Sequence, residues 1–367
     1  MLRVCGITFT HSPNYGSCLQ TYALQHVIES LTIGGEKCSY SVIPIQTLKD
    51  FPTIGLSAHI VKPLLAWNRL QYQSFYNKYL HFAKCRYIRD LSELNQQYDA
   101  FVCGSDVIWS NNFNNGVGAY FLDFAEKYRF SYAASFGKSS IPDSFLRFAA
   151  PKIDQLNAIS VREPSGVQIA RQCTQKPIKV VSDPVLLVDA SVWKGIAVKK
   201  PHKQPYILIY VTHLNDTIKD FLAKLTAVTG LPAVWAVAGP KQALMRGMLQ
   251  VHKPAEWLGL LEGAEYIVTN SFHATAFSTL FHKKFFTVVY GEKDKGINVR
   301  MNDFLNTVGL GSRIHSAVPE TIDLSEIDFS EADQRVDELR KDSMAFLREN
   351  LEAAYREKLE LEKKEHH

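Results

Sequence analysis

The sequence predicts an α/β protein built from two Rossmann-like domains that face each other across a cleft, followed by a C-terminal helical tail. Short apolar runs alternate with amphipathic segments along most of the chain, which is typical of parallel sheets with crossover helices. A Lys- and Pro-rich break over 189–205 interrupts this alternation. We therefore predict an N-terminal domain at 1–190, a second domain at 205–312, and one or more charged helices over 331–364.

The bulk composition is that of a folded, globular protein. Of the 367 residues, 46% are hydrophobic and 21% are charged, and the formal net charge is +4. The Lys and Arg residues do not form a dense block, which argues against nucleic acid as a partner. The weak positive charge is compatible with an anionic small molecule or an anionic lipid surface.

The cysteines and the apolar segments predict a cytoplasmic protein. None of the six cysteines forms a C-x-x-C pair, so we expect free thiols rather than a disulfide framework. No run approaches the roughly 18 apolar residues of a membrane span, and the first residues resemble a strand rather than a signal peptide. An aromatic-rich helix predicted over 60–83 packs over the cleft or the core. Peripheral contact with the inner face of the membrane is the alternative interpretation.

Within the first domain, apolar spacing at residues 19, 22, 23, 27 and 28 predicts a helix over 18–31. A further helix beginning at Pro164 is expected to run to 172, because proline is well tolerated at the first helical position. The predicted strands of this domain are 2–9, 37–45, 98–103, 129–135, 158–161 and 179–181.

The second domain repeats the alternation. Its predicted helices are 216–228, a segment ending near Gly263, and 273–282. Its predicted strands are 206–211, 233–237, 266–269 and 285–290. Two such units in sequence give two parallel sheets, whose carboxyl ends we expect to face one cleft.

The segment Tyr266–Leu280 is the most informative part of the sequence. An apolar strand ends at Asn270 and Ser271, and His273 follows just where helical spacing begins. A helix N-terminus at the carboxyl end of a parallel strand favours an anion, and an adjacent histidine can hold a phosphate or carry a proton. The segment therefore predicts a site for a small phosphorylated substrate.

Four clusters of polar residues and glycine follow predicted strands and form the candidate site. Each also has an ordinary structural interpretation as a turn, a helix cap, an exposed ion pair or a partly buried histidine. Their common position at one sheet edge favours a functional role for the set. The clusters are Asn14-Tyr15-Gly16, Gly104-Ser105-Asp106, Arg162-Glu163 and Asn270-Ser271-Phe272-His273.

Other motifs can be dismissed. Gly137-Lys138-Ser139 resembles the end of a phosphate-binding P-loop, but the required first glycine falls on Tyr132. The chain has no G-x-G-x-x-G after its first strand, no H-E-x-x-H, and no metal-ligand spacing among its histidines and cysteines. We therefore predict no metal and no cofactor.

Six motifs together resemble the polysaccharide pyruvyl transferase family, and the similarity extends from about residue 6 to 311. They match that family in order and rough spacing. The motifs are NYGSCLQTYAL (14–24), YDAFVCGSDVIW (98–109), SYAASFG (131–137), ISVREPSG (159–166), SDPVLLV (182–188) and TNSFHATAFS (269–278). The resemblance implies a glycosyltransferase-B-like fold, with the acceptor on the first domain and the donor on the second.

The resemblance also implies an activity. Members of the family transfer a pyruvyl group from phosphoenolpyruvate to sugar hydroxyls, forming a pyruvate ketal during surface (exopolysaccharide or capsule) polysaccharide biosynthesis. The sugar acceptor is expected to be lipid-linked or nucleotide-linked. This chain departs from the family at 107–110, where Val-Ile-Trp-Ser replaces a common Gln-Val-Trp-Asn run. The identity of the acceptor therefore cannot be transferred from the family.

The chemistry assigns roles to three candidate catalytic residues. Arg162 is a planar donor suited to the phosphate or the carboxylate of phosphoenolpyruvate. Asp106 is the candidate base for a sugar hydroxyl. His273 is either the acid that protonates the enol carbon or a clamp for the phosphate, and the sequence leaves both open. The other members of the four clusters are predicted to bind substrate.

Two alternative functions remain at the level of sequence. A glycosyltransferase that uses a nucleotide sugar would occupy the same two-domain cleft, although the second domain has only a weak ribose-reading signature. A non-catalytic relative that binds a glycan or a phosphate would retain the fold without turnover.

Overall fold

The computed structural model describes residues 1–10, 14–50, 70–111, 117–199, 204–238, 253–289 and 295–365, with the backbone alone at 295–298 and 365. Parts of three predictions lie outside these residues. They are the first ten positions of the 60–83 helix, the last residue of the 285–290 strand, and residues 200–203 of the interdomain break.

The first sheet has the strand order β2-β3-β1-β4-β5 and is parallel except for the β2–β3 pair. Single backbone bridges from Phe130 to Ala158 and from Ala134 to Val161 continue it to the parallel pair β6–β7. The strands are β1 (Leu2–Ile7), β2 (Thr32–Ile33), β3 (Glu36–Ile43), β4 (Ala100–Cys103), β5 (Tyr128–Ser131), β6 (Ile159–Val161) and β7 (Ile178–Val180).

The helices around this sheet are α1 (Tyr15–Ser30), α2 (70–79), α3 (Asp143–Ile153), α4 (Pro164–Ala170) and α5 (Ala190–Ile196). Helix α1 begins three residues earlier than predicted because Asn14 caps it. The Asn14 side chain accepts hydrogen bonds from the backbone N–H groups of Gly16 and Ser17, at 2.9 and 3.3 Å. Asparagine is among the best residues for this position. Short 3₁₀ segments lie at Ile45–Thr47, Ile88–Gln96, Gly118–Phe121 and Pro184–Leu186.

The second sheet is wholly parallel and has the order β9-β8-β10-β11-β12. Its strands are β8 (Ile207–Tyr210), β9 (Ala233–Trp235), β10 (Tyr266–Thr269), β11 (Lys284–Val288) and β12 (Ile314–His315). Its helices are α6 (Asp216–Thr229), α7 (Pro254–Gly263), α8 (Phe272–Leu280) and α9 (Lys295–Thr307), with a 3₁₀ turn at Gly311–Arg313. Helix α8 begins one residue earlier than predicted.

The C-terminal tail is one long helix, α10 (Ser330–Glu365). Near its start, Arg335 Nη1 donates to Thr307 O of α9 at 2.9 Å. Further along, Arg340 Nε donates to Leu186 O at 2.9 Å, and Asn350 Oδ1 accepts from Tyr128 of β5 at 2.9 Å. The helix therefore leaves the second sheet and packs along the first.

An aromatic cluster joins the two halves on one side of the cleft. Tyr15 of α1 stacks on Trp257 of α7, with ring centroids 5.1 Å apart, and on Tyr72 of α2 at 5.8 Å. Tyr15 Oη donates to Val237 O just beyond β9, at 2.6 Å. All three side chains are buried, so this contact fixes the relative position of the two sheets. Among the described residues, no helix combines the length and apolar composition needed to cross a bilayer.

Candidate functional site

Each sheet has one point where its strand order reverses, and this is where open parallel sheets bind ligands. In the first sheet the point lies between β1 and β4, and in the second it lies between β8 and β10. All four predicted clusters lie at carboxyl ends of strands, and two of them follow β4 and β10 directly. The prediction that the clusters lie at the carboxyl ends of the parallel strands is therefore correct in both sheets.

The turn after β4 presents Asp106. Gly104 has φ +118°, and a β-carbon there would overlap the carbonyl oxygen of Tyr132, so only glycine fits. Asp106 itself has φ +73°, in the left-handed region that aspartate tolerates. Ser17 Oγ of α1 donates to Asp106 Oδ2 at 2.5 Å, and the Val107 N–H donates to Oδ1 at 2.8 Å. The carboxylate is thus fixed at the reversal point of the first sheet.

Arg162, at the end of β6, lies at the centre of a buried cluster of charges. Its Nη1 lies 2.9 Å from Asp183 Oδ2 and 4.0 Å from Asp106 Oδ1, and its Nε lies 3.2 Å from Glu163 Oε2. Its guanidinium carbon lies 4.3 Å from the ring centroid of Phe272. Burial alone would lower the pKa of Arg162, but the three carboxylates raise it above its ordinary value. Arg162 Nη2 has no hydrogen-bond partner among the residues that the structure describes.

Asp183 is the member of this cluster that the sequence did not single out. Its Oδ2 accepts hydrogen bonds from Arg162 Nη1 at 2.9 Å and from Ser105 Oγ at 3.0 Å. The imidazole Nε2 of His273 lies 3.5 Å from the same oxygen. Burial alone would raise the pKa of Asp183, but His273 and Arg162 hold it well below its usual range. The available signal was its position after β7, the strand-end rule that located the other clusters.

His273 occupies the first turn of α8, where Ser271 is the N-cap residue but makes no side-chain cap bond. His273 is 4% exposed, and its imidazole lies against Gly16 of α1, so that a β-carbon at position 16 would overlap Nδ1. Apart from its 3.5 Å approach to Asp183, which is longer than a normal hydrogen bond, Nε2 has no partner in the described part of the chain. His273 thus places the second domain directly on two segments of the first.

The predicted site residues divide into two groups. The structure brings one group together around Arg162 and His273, comprising Gly16, Gly104, Ser105, Asp106, Glu163, Ser271 and Phe272. Glu163 accepts a hydrogen bond from Ser135 as well as from Arg162. These residues lie close together in the structure, and their contact with a substrate remains a prediction.

The second group is held by the protein itself. Asn14 caps α1, and Tyr15 is buried in the aromatic cluster. Asn270 Oδ1 accepts from the N–H of Thr212 at 2.7 Å, and its Nδ2 donates to His213 O at 2.8 Å. The Asn270 amide therefore fixes the loop after β8. The side chains of Asn14, Tyr15 and Asn270 each have a structural role, and any contact with a substrate would have to be made in addition to it.

A cavity of about 30 Å³ adjoins the charge cluster. Its walls include Arg162, Asp183, Phe272, Arg300 and Asp303. This is room for about one water molecule. Among the described residues, no group of three or more His, Cys, Asp or Glu side chains has an arrangement that could hold a metal ion.

The sequence profile of the polysaccharide pyruvyl transferase family matches residues 14–292. The chain therefore belongs to that family, a class of transferases, as its six motifs predicted. A comparison with curated proteins gave no significant match.

The structure has the predicted glycosyltransferase-B-like fold, and several solved structures are similar to it. A candidate UDP-N-acetylglucosamine 2-epimerase from Listeria monocytogenes has a TM-score of 0.50 and 10% identity, and the match covers 96% of this chain and 89% of that one. HepE of Anabaena with UDP-glucose has a TM-score of 0.48 and 10% identity, covering 95% and 99%. The E. coli heptosyltransferase WaaC with ADP has 0.41 and 12%, covering 92% and 100%. At these identities the comparison shows the fold alone, and the match to the Listeria structure agrees with the predicted fold class.

Proposed function

We propose that this protein transfers a pyruvyl group from phosphoenolpyruvate to two hydroxyls of a sugar in surface polysaccharide biosynthesis, forming a pyruvate ketal and releasing phosphate. Membership of the pyruvyl transferase family supports the class of reaction. We further propose that the acceptor sugar is carried on a lipid or a nucleotide, that the protein acts in the cytoplasm at the inner face of the membrane, and that it needs no cofactor.

One observation carries the proposal. Arg162 Nη2, which is an N–H donor, and His273 Nε2, which is one when protonated, are buried nitrogens from the two halves of the molecule, and neither has a hydrogen-bond partner among the described residues. The Arg162 guanidinium lies over the ring of Phe272, the first residue of α8, and His273 is the second residue of that helix, whose N-cap residue Ser271 makes no side-chain cap bond. An unused buried donor is costly, so such groups mark the position of a missing acceptor. Oxygen atoms of an anion, such as a phosphate or a carboxylate, satisfy two such donors and a helix N-terminus together.

Net charge does not favour this binding, because the carboxylates of Asp106, Glu163 and Asp183 outnumber the single guanidinium of Arg162. The anion is therefore held by directed N–H groups. The imidazole of His273 packs directly on Gly16, with no space between them. The two halves must therefore separate at this contact for a ligand to enter.

The proton balance of the reaction fits the groups present. Two C–O bonds form at the central carbon of phosphoenolpyruvate, and its C–O bond to the phosphate breaks. The two sugar hydroxyls lose two protons; the methylene carbon takes up one, and the other leaves with the phosphate. Asp106, fixed by Ser17, accepts a hydroxyl proton. His273 binds the phosphate from the α8 terminus and is the candidate donor of a proton to the carbon or to the phosphate.

The test is phosphate release from phosphoenolpyruvate in the presence of a sugar-lipid extract, in wild type and in His273→Asn. Loss of a general acid lowers kcat by roughly 10²–10⁴-fold. Loss of a phosphate clamp raises KM for phosphoenolpyruvate more than it lowers kcat. His282→Asn is the matched control, because His282 is exposed and pairs with Asp333 beyond the far end of α8. We expect this control to equal wild type.

Three outcomes would overturn the proposal. Calorimetry that shows no binding of phosphoenolpyruvate, with or without the extract, excludes the donor. Saturable binding and turnover of a UDP- or GDP-sugar would identify a glycosyltransferase. Binding of phosphoenolpyruvate without turnover on any acceptor would identify a non-catalytic relative.

A further inference from the structure

One carboxylate oxygen of Asp183, Oδ2, has three polar side-chain neighbours. Ser105 Oγ, Arg162 Nη1 and His273 Nε2 all lie within 3.5 Å of Oδ2. They come from the ends of β4 and β6 and from the first turn of α8. Asp183 is therefore the point at which the segments of the first domain meet the candidate histidine of the second.

The carboxylate cannot easily turn away from this position. Its other oxygen, Oδ1, accepts a hydrogen bond from the N–H of Val185 at 3.1 Å and caps the short turn that follows. The preceding residue is fixed from α10, because the Ser182 N–H donates to Ser343 Oγ at 2.8 Å. Asp183 is 1% exposed. Its geometry is set by the protein before any ligand binds.

The surroundings of Asp183 and His273 determine which imidazole nitrogen carries the proton. Asp183 is an acceptor beside Nε2, and the cations and anions facing the pair are Arg162, Asp106 and Glu163, with Arg300 and Asp303 of α9 on the cavity wall. An acceptor at Nε2 selects the form of a neutral imidazole that is protonated there. Nδ1 instead lies against the position that a β-carbon on Gly16 would occupy.

We infer that Asp183 is a positioning residue: it fixes the imidazole of His273 in the orientation and tautomer that keep Nε2–H as a donor toward the bound anion. The separation of 3.5 Å from Nε2 to Oδ2 is short enough to select the tautomer and too long to use up the donor. The inference deepens the proposed function, on which its catalytic consequence rests. The tautomer itself is a property of the free protein.

The test is ¹⁵N NMR of protein labelled selectively on histidine, in wild type, Asp183→Asn and His273→Asn. The last variant assigns the His273 signals by their disappearance. In wild type at pH 7.5 and pH 9 we expect Nε2 to have the shift of a protonated nitrogen. In Asp183→Asn the amide can donate to Nε2, so the two nitrogens should exchange roles or average. Unchanged His273 shifts in Asp183→Asn would overturn the inference.

A matched carboxylate provides the control. Asp303 lines the same cavity and accepts the N–H of Ser165 at 3.2 Å, so Asp303→Asn makes the same chemical change without touching His273. We expect its His273 signals to match wild type. Ser105→Ala removes one donor from Asp183 while keeping the charge, and should leave the tautomer intact.

Activity measurements then distinguish the inferred role of Asp183 from the proposed function on which its catalytic consequence rests. If wild type releases phosphate from phosphoenolpyruvate, Asp183→Asn should lower kcat/KM for phosphoenolpyruvate by more than tenfold, measured at a temperature at which the variant is fully folded. A merely structural role would lower the melting temperature and leave kcat/KM of the folded variant unchanged, which would also count against the inference. If wild type has no such activity, the proposed function fails, and the NMR result still decides the role of Asp183.

Discussion

Gly16 and His273 belong to opposite halves of the molecule, and they approach so closely that no side chain at position 16 can coexist with the observed imidazole position. The contact joins the first turn of α1 to the first turn of α8. Gly16 has an ordinary helical conformation. Glycine is therefore required here by the lack of space and not by the backbone dihedral angles.

Gly16→Ala should therefore displace His273 and part the two halves. We expect a loss of about 1–3 kcal/mol in the free energy of unfolding, as for other overpacked sites, measured by urea titration. Phosphate release from phosphoenolpyruvate should fall with it. Gly195→Ala is the control, because Gly195 lies within helix α5 with no atom near its β-carbon position. Alanine there should be neutral or stabilising, and equal behaviour of the two variants would contradict the packing argument.

Arg162→Ala should leave three buried carboxylates without their common cation. Removing one partner from a buried charge cluster typically costs about 3–5 kcal/mol, so we expect the variant to be strongly destabilised in denaturant titrations. Arg162→Lys keeps the charge but loses the planar contacts to Asp183 and Glu163. Its free energy of unfolding should lie between those of wild type and Arg162→Ala. Lys219→Ala breaks only an exposed pair with Asp216 on α6 and should leave the stability close to that of wild type.

Tyr120→Phe should not destabilise the protein. Tyr120 is fully buried, and its hydroxyl has no hydrogen-bond partner among the described residues, so deleting it removes an uncompensated polar group. We expect an unchanged or higher melting temperature. Tyr15→Phe makes the same change where the hydroxyl donates to Val237 O at 2.6 Å, and should cost about 1 kcal/mol. A larger loss for Tyr120→Phe than for Tyr15→Phe would show that the Tyr120 hydroxyl is in fact satisfied.

His315 should make stability depend on pH. Burial, with a smaller contribution from Arg313, lowers the pKa of His315 in the folded protein. Because the unfolded chain then binds the proton more readily, this contribution to stability is complete above the unfolded value near 6.5 and is lost as the pH falls below it. Compared with His315→Gln, the wild type should lose stability between pH 8 and pH 5. Parallel curves for the two proteins over that range would contradict the assignment.

Much of the fold was accessible from the sequence because parallel strands are apolar throughout and end in polar turns. The runs at 206–211 and 266–269 became β8 and β10 within two residues. The predicted strand at 129–135 shortened to Tyr128–Ser131, because Ala133 adopts φ +50° and leaves the ladder. No propensity rule anticipates the conformation of Ala133, because the Gly104 turn packs closely against the backbone on either side of it, at Tyr132 and Ala134.

The candidate site was only partly accessible. Local sequence places Asp106, Arg162 and His273 at strand ends, but it does not show that Arg162 would be buried among carboxylates. The contacts of Asp183 were out of reach for the same reason, because they come from residues 21, 78 and 90 positions away, and only its position after β7 could have marked it. Tyr15 was predicted to touch substrate, and the aromatic partners that bury it lie beyond the reach of any local pattern.

Helix α10, at the end of the chain, helps to hold the candidate site in place. Its Ser343 hydroxyl accepts the N–H of Ser182, next to Asp183, although the two residues are separated by 161 positions. A shortened chain that ends before α10 would keep every residue of the cleft and still lose the support beneath one wall of it. The two halves are thus unsuited to separate expression, because the first depends on the final helix for its own completion.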